Sequence, residues 1–266
     1  MQETYPIVLL ERKAARLRKE TGNPAYRSKL ASDLPPQKLI RHTIVRPMKL
    51  LFLSPIVSVM CIYIAVLYGL LYILFTTFTF VFEEVYRFST TSAGLSFLGS
   101  GLGTILGLYY CGIMSDRAIK QNVAAGKTLK PEDRLPLLIT LPACLSIPCG
   151  LIIYAWAADK HVQWMLAEIG TAITGFGMMC IVMCISTYLV DTFTIYAASA
   201  IAASAVLRSL LGALLPLCGL DLYDAIGLGW GNTLLGLIAL VLAPIPWIFS
   251  VYGERIRKNP RWQVNF

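Results

Sequence analysis

Few side chains in this 266-residue sequence have both the type and the setting for chemistry, and most of them sit inside apolar runs. Arg208 lies within the run from Phe193 to Cys218, about fourteen residues in and so roughly 20 Å deep. Ala200, Ser204, Arg208 and Gly212 recur every four residues, which puts the arginine on a small, polar helix stripe. A guanidinium there needs a partner or a water-filled path, so the stripe should face other helices, as part of a substrate path or as a packing pin. Glu168 is the second charge in an apolar run; it reads first as an interfacial carboxylate and second as a candidate proton site. Tyr68, Tyr72, Phe75 and Phe78 form an aromatic series at near-helical spacing, able to line a path for bulky, weakly polar or cationic molecules, although most such stripes are core or lipid-facing.

Hydrolytic and metal chemistry find little support. Gly94-Leu95-Ser96 offers a G-x-S, but only His42 and His161 could serve as an imidazole base, and no H-E-x-x-H pattern occurs. The seven cysteines all lie in apolar runs without metal-ligand spacing and read as small core residues. Gly99-Ser100-Gly101 has the form G-x-G, yet no strand precedes it. The sequence predicts no enzyme, no cofactor and no metal.

The elements that must position these residues follow from composition. At 56% hydrophobic and 14% charged, with a mean hydropathy of +0.65, the chain is too apolar for an ordinary soluble domain and excludes a disordered one. Six segments have the roughly 20 apolar residues that a bilayer span requires: Ser54–Phe80, Ser92–Met114, Leu135–Ala157, Trp164–Tyr188, Phe193–Cys218 and Thr233–Tyr252. The expectation is an all-α, polytopic membrane protein of six transmembrane helices. Its parts are a segment over 1–53 of amphipathic helix and linker, a helical domain over 54–252 and a tail over 253–266. The net charge of +8 is read as a topology mark and not as a nucleic-acid footprint: twenty of the 23 lysines and arginines fall on one face of a six-span arrangement. That places both termini in the cytoplasm, with no cleaved signal at the start.

Ile7, Leu10, Ala14 and Leu17 alternate with basic residues until Gly22-Asn23-Pro24, predicting a short basic amphipathic helix, a connector before a binder of anionic lipid. Pro24, Pro35 and Pro36 mark the linker after it. Gly99, Gly103 and Gly107 repeat every four residues and predict close packing of the second span on a neighbour. Asp191 or Thr192 is expected to N-cap the fifth span.

With these residues set out, a family resemblance follows. Gly112-Ile113-Met114-Ser115-Asp116-Arg117, before a basic loop, resembles the G-x-x-x-D-R signature of the major facilitator superfamily in its second-half form. Glu3-Thr4-Tyr5-Pro6 with Leu9-Leu10-Glu11-Arg12-Lys13-Ala14 is similar to the central loop of the fungal drug:proton antiporters, a multidrug and polyamine branch. Tyr188-Leu189-Val190-Asp191, Tyr196-Ala197-Ala198-Ser199-Ala200 and Leu207-Arg208-Ser209-Leu210 resemble that branch's tenth-to-eleventh helix region, and Gly227-Leu228-Gly229-Trp230-Gly231 its last outer loop.

The resemblance implies the six-helix second half of a twelve-span transporter, with the chain a truncated half. Its implied function is proton-coupled efflux of small organic molecules across the plasma membrane. Partners would be the lipid bilayer, the substrate and the missing N-terminal half. Arg208, Ser204, Tyr68, Tyr72, Phe75, Tyr188 and Tyr196 are then expected along the substrate pathway, and Gly112, Asp116 and Arg117 in a gate. Asp116 would act at a helix N-terminus or against a basic residue, and Gly112 would allow close approach. The alternative is a helix-bundle membrane protein or assembly partner that transports nothing.

Overall fold

The computed structural model describes residues 6–28, 36–126 and 130–258, and among them every regular element is helical. The chain divides into two units, Met1–Val45 and Arg46–Phe266. In the first, α1 (Pro6–Thr21) follows the amphipathic pattern and stops at Gly22, whose φ of +66° lets its N–H reach the Arg18 carbonyl at 3.0 Å. A second helix, α2 (Pro36–Leu53), occupies much of the stretch expected as linker. Pro36 is its first residue, where a missing N–H costs nothing, so this proline starts a helix instead of preventing one.

Six helical stretches long and apolar enough to cross a membrane make up the second unit. The first is α3 (Pro55–Phe80), continued by a π-helical turn to Val85. The short α4 (Thr90–Leu95), capped by Ser89 accepting from the Ser92 N–H at 3.3 Å, leads into α5 (Phe97–Ala124). The third and fourth are α6 (Leu137–Asp159) and α7 (Trp164–Thr192). The fifth comprises α8 (Ala197–Leu214), a 3₁₀ turn containing Pro216 and α9 (Gly219–Ile226); the sixth comprises α10 (Leu228–Leu242) and α11 (Pro244–Lys258).

These stretches differ in detail from the expected spans. The helix of the second runs ten residues beyond Met114, because Ala, Lys and Gln sustain a helix after hydropathy falls. The outer loop expected at Gly227–Gly231 contracts to Gly227, whose φ of +80° reverses the chain, and Leu228 to Gly231 already belong to α10.

Packing is organised around α7. Gly99, Gly103 and Gly107 of α5 meet Glu168, Ala172 and Phe176 of α7, two ladders with the same four-residue step. A Cβ on Gly107 would stand 2.5 Å from the Phe176 carbonyl oxygen, and one on Gly103 would overlap the Ala172 carbonyl. On the opposite side of α7, a Cβ on Gly150 of α6 would lie 2.5 Å from the Gly170 carbonyl oxygen. Small residues thus bring three backbones together where lipid gives apolar side chains no reason to associate. The helix α10 packs on α6, while α3 and α8 form a parallel pair. Tyr63, Phe78, Phe82, Tyr154 and Tyr188 are fully buried between these layers.

Candidate functional site

The α3–α8 pair brings together much of what the sequence singled out. Residues on α8 meet residues on α3 in the same order along both chains: Ser204 faces Cys61, Arg208 faces Tyr68, and Gly212 faces Tyr72. Arg208 lies eleven residues into α8, about 17 Å from its start, with eighteen residues following it in the same span. Its Nη1 donates to the Tyr68 hydroxyl at 3.3 Å, and its guanidinium carbon stands 5.0 Å from the Tyr68 ring centroid. Among the described residues no carboxylate lies within ion-pair distance of it.

Aromatic rings extend the site along α3. Tyr68 stacks on Tyr72 at 6.5 Å, Tyr72 meets Phe75 edge-on at 6.5 Å, and Phe75 meets Phe97 at 5.7 Å. Phe78, the fourth member of the series, turns inward and is buried against Phe82, Phe97 and Tyr154. Tyr72 is 45% exposed and Arg208 half-buried, so the cluster opens on one side of the bundle. A cation held over a ring with spare N–H donors can bind an acceptor or anion; the neighbouring rings can take an apolar or cationic body.

Other predicted residues lie elsewhere. Glu168 rests against Ser96 and Gly99 and makes no contact with the Arg208 cluster among the described residues. Tyr188 is buried against Gly253 near Glu132, its hydroxyl without a hydrogen bond, and Tyr196 lies under Arg46, 5.9 Å from its ring centroid. Neither tyrosine joins the Arg208 cluster. Gly112 has open space where a Cβ would be, so within this unit it serves no close approach; α5 turns Cys111 inward at that level instead. Asp116 sits inside α5 and not at a helix N-terminus, so no dipole acts on it there. Both Asp116 and Arg117 are exposed, and neither has an ion pair among the described residues.

At the end of the unit that carries residues 130–136, the structure holds an ionic lattice that sequence reasoning missed. Arg257 donates from Nε and Nη2 to the two oxygens of the buried Glu132, each at 3.3 Å. Lys130 and Lys258 both donate to Glu254, at 2.7 and 2.6 Å. That hydrogen bond and the Glu254 charge raise the Lys130 ammonium above its usual range. Arg134 Nε donates to Asp191 at 2.6 Å. Asp191 does not cap α8, whose N-cap is Tyr196, because α7 runs on to Thr192 and α8 starts only at Ala197, which leaves Asp191 and Thr192 in the last turn of the preceding helix. At the opposite end Tyr223 donates to Asn232 at 2.8 Å and receives from Thr77 at 3.4 Å, tying α3, α9 and α10. An asparagine alone in an apolar span was the available signal for that network.

The Major Facilitator Superfamily model matches residues 6–216. MFS-type transporter tndD of Aspergillus flavipes is 49% identical over 263 residues, covering 97% of this chain and 48% of that protein. MFS-type transporter penM of Penicillium rubens is 49% identical over 266 residues, covering 100% and 52% respectively. Efflux pump radE of Floropilus chiversii is 46% identical over 267 residues, covering 99% and 49%. The chain spans about half the length of the curated relatives it matches.

Proposed function

The chain belongs to the major facilitator superfamily, and we propose that it supplies six membrane helices of a carrier for small organic molecules, with the Arg208–Tyr68 cluster on the substrate path. The relatives named as transporters and as an efflux pump support that reading. The observation that carries it is Arg208 itself: a charge in mid-span, held by one tyrosine, on the open side of an aromatic row. A packing pin would be closed by a carboxylate or carbonyls; this guanidinium keeps donors for something that comes and goes.

In the complete carrier a second six-helix half faces this one and closes the path, which alternates access by rocking of the halves. The exposed leucines of α5, Leu98, Leu102 and Leu106, and the exposed Asp116, with no ion pair among the described residues, support such a partner. Proton coupling, a multidrug- or polyamine-like substrate range and a plasma-membrane location complete the proposal. Both termini lie in the cytoplasm by the distribution of basic residues. Expressing the chain joined to a six-helix first half tests this: Arg208→Ala should abolish substrate efflux at unchanged surface level. Efflux at the normal rate would overturn it.

A further inference from the structure

The last span is broken at Ala243–Pro244, where α10 ends and α11 begins. Proline at the start of α11 cannot donate to the preceding turn, so the helix re-aims there. A groove of about 480 Å³ results between that break and α6, lined by Leu137, Leu141, Leu145, Leu240, Pro244 and Trp247, within the roughly 300–1,000 Å³ range of small-molecule sites. From Leu137 to Leu145 is two helical turns, about 12 Å, so the groove is elongated along α6.

It begins at the level of Leu137, three residues after Arg134 ends the 3₁₀ turn Pro131–Arg134, and α11 continues from Trp247 towards that same ionic end. Trp247, Ile248, Val251, Tyr252 and Arg255 fall on one exposed arc of α11, whereas Pro246, Phe249 and Gly253 are buried on the other face. Arg257 and Lys258 are committed to Glu132 and Glu254. Arg255 is exposed, has no ion pair among the described residues, and lies 5.9 Å from the Tyr252 ring centroid. An apolar slot with Trp247 in its wall thus leads, two turns further along α11, to a cation without an ion pair among the described residues, set over Tyr252, a residue type that favours the headgroup level of a bilayer.

We propose that this groove is a binding site for one anionic glycerophospholipid, an acyl chain lying between α6 and the α10–α11 break and the acidic headgroup meeting Arg255. Charge decides the class: the described wall is almost wholly apolar, carries no charged side chain, and its one hydroxyl, Thr140, is already bonded to the Pro136 carbonyl, so the slot takes a hydrocarbon chain and Arg255 selects its headgroup.

The test uses the whole chain purified in mild detergent, with phosphatidylserine and phosphatidylcholine of identical acyl chains added and retained lipid counted by native mass spectrometry. One phosphatidylserine should be retained over phosphatidylcholine by about five-fold, the discrimination expected of one basic residue near the surface. Arg255→Gln should bring the two lipids to parity, and Leu141→Trp, which fills the slot, should lower retention of both. A variant with Arg12, Arg16 and Lys19 changed to Gln separates this site from the basic helix α1 and should retain lipid as before. Preference that survives Arg255→Gln, retention that survives Leu141→Trp, or loss that follows the α1 variant would each overturn the proposal.

Discussion

The Arg208 guanidinium stands 5.0 Å from the ring centroid of Tyr68 and donates to that residue's hydroxyl at 3.3 Å, so one tyrosine meets the charge with both its ring and its oxygen. The two contributions can be separated. Tyr68→Phe removes the hydrogen bond to a charged group, about 1.5 kcal/mol, and should slow transport in a full-length carrier about ten-fold. Tyr68→Ala also removes the ring attraction, about a further 1 kcal/mol, and should slow it more than about fifty-fold. Equal rates for the two variants would show that only the hydroxyl matters.

Reconstituted by itself in liposomes, the chain should show no substrate-dependent flux, because a path between two halves has only one wall here. Uptake driven by a pH gradient in these vesicles would contradict that expectation.

The glycine ladder makes a prediction with a built-in control. Gly103→Ala drives a methyl into the Ala172 backbone and should lower stability by about 1–3 kcal/mol, whereas Gly101→Ala, with nothing within 4 Å of the new atom, should leave stability unchanged or slightly raised. Thermal exposure of the buried thiols of Cys111, Cys180 and Cys184, followed with a thiol-reactive dye, reads both variants.

In the ionic lattice, burial ranks the pairs. Glu132→Ala strands Arg257 and should cost about 2 kcal/mol, while Lys130→Ala, at an exposed pair, should cost clearly less. The Lys130 ammonium is stabilised in the fold, so its contribution is complete below the ordinary lysine value of 10.5 and is lost as pH rises through the higher folded value. Protease cleavage within residues 125–136 should therefore stay constant through neutral pH and increase only in strongly alkaline buffer.

Hydropathy alone made the six spans legible, and four-residue spacing made the Arg208 stripe and the α5 ladder legible, because a helix repeats its faces at fixed intervals. That the arginine stripe meets the aromatic row was not legible. Each stripe announces only that it faces something, and the parallel neighbour of α8 is settled by how six helices share a core. The lattice was hidden for a related reason: Arg257 and Glu132 lie 125 residues apart, and a basic loop reads as a topology mark whether or not its charges are paired. The Asp191 cap failed because helix α7 carries on through Thr192 and α8 opens only at Ala197, so the carboxylate ends one helix instead of starting the next and is met by Arg134.

Because α3 and α8 run parallel and meet rung by rung, the pair behaves like a vernier. Deleting one residue between Ser204 and Gly212 would turn everything beyond it by about 100° and draw it back about 1.5 Å. A deletion before Arg208 would swing the guanidinium off Tyr68; one after it would leave Leu215 no longer seated against Gly69. Among homologous chains, insertions and deletions should therefore be absent from 61–72 and 204–215 and should gather between the end of α5 and Pro131, where an added residue shifts no rung.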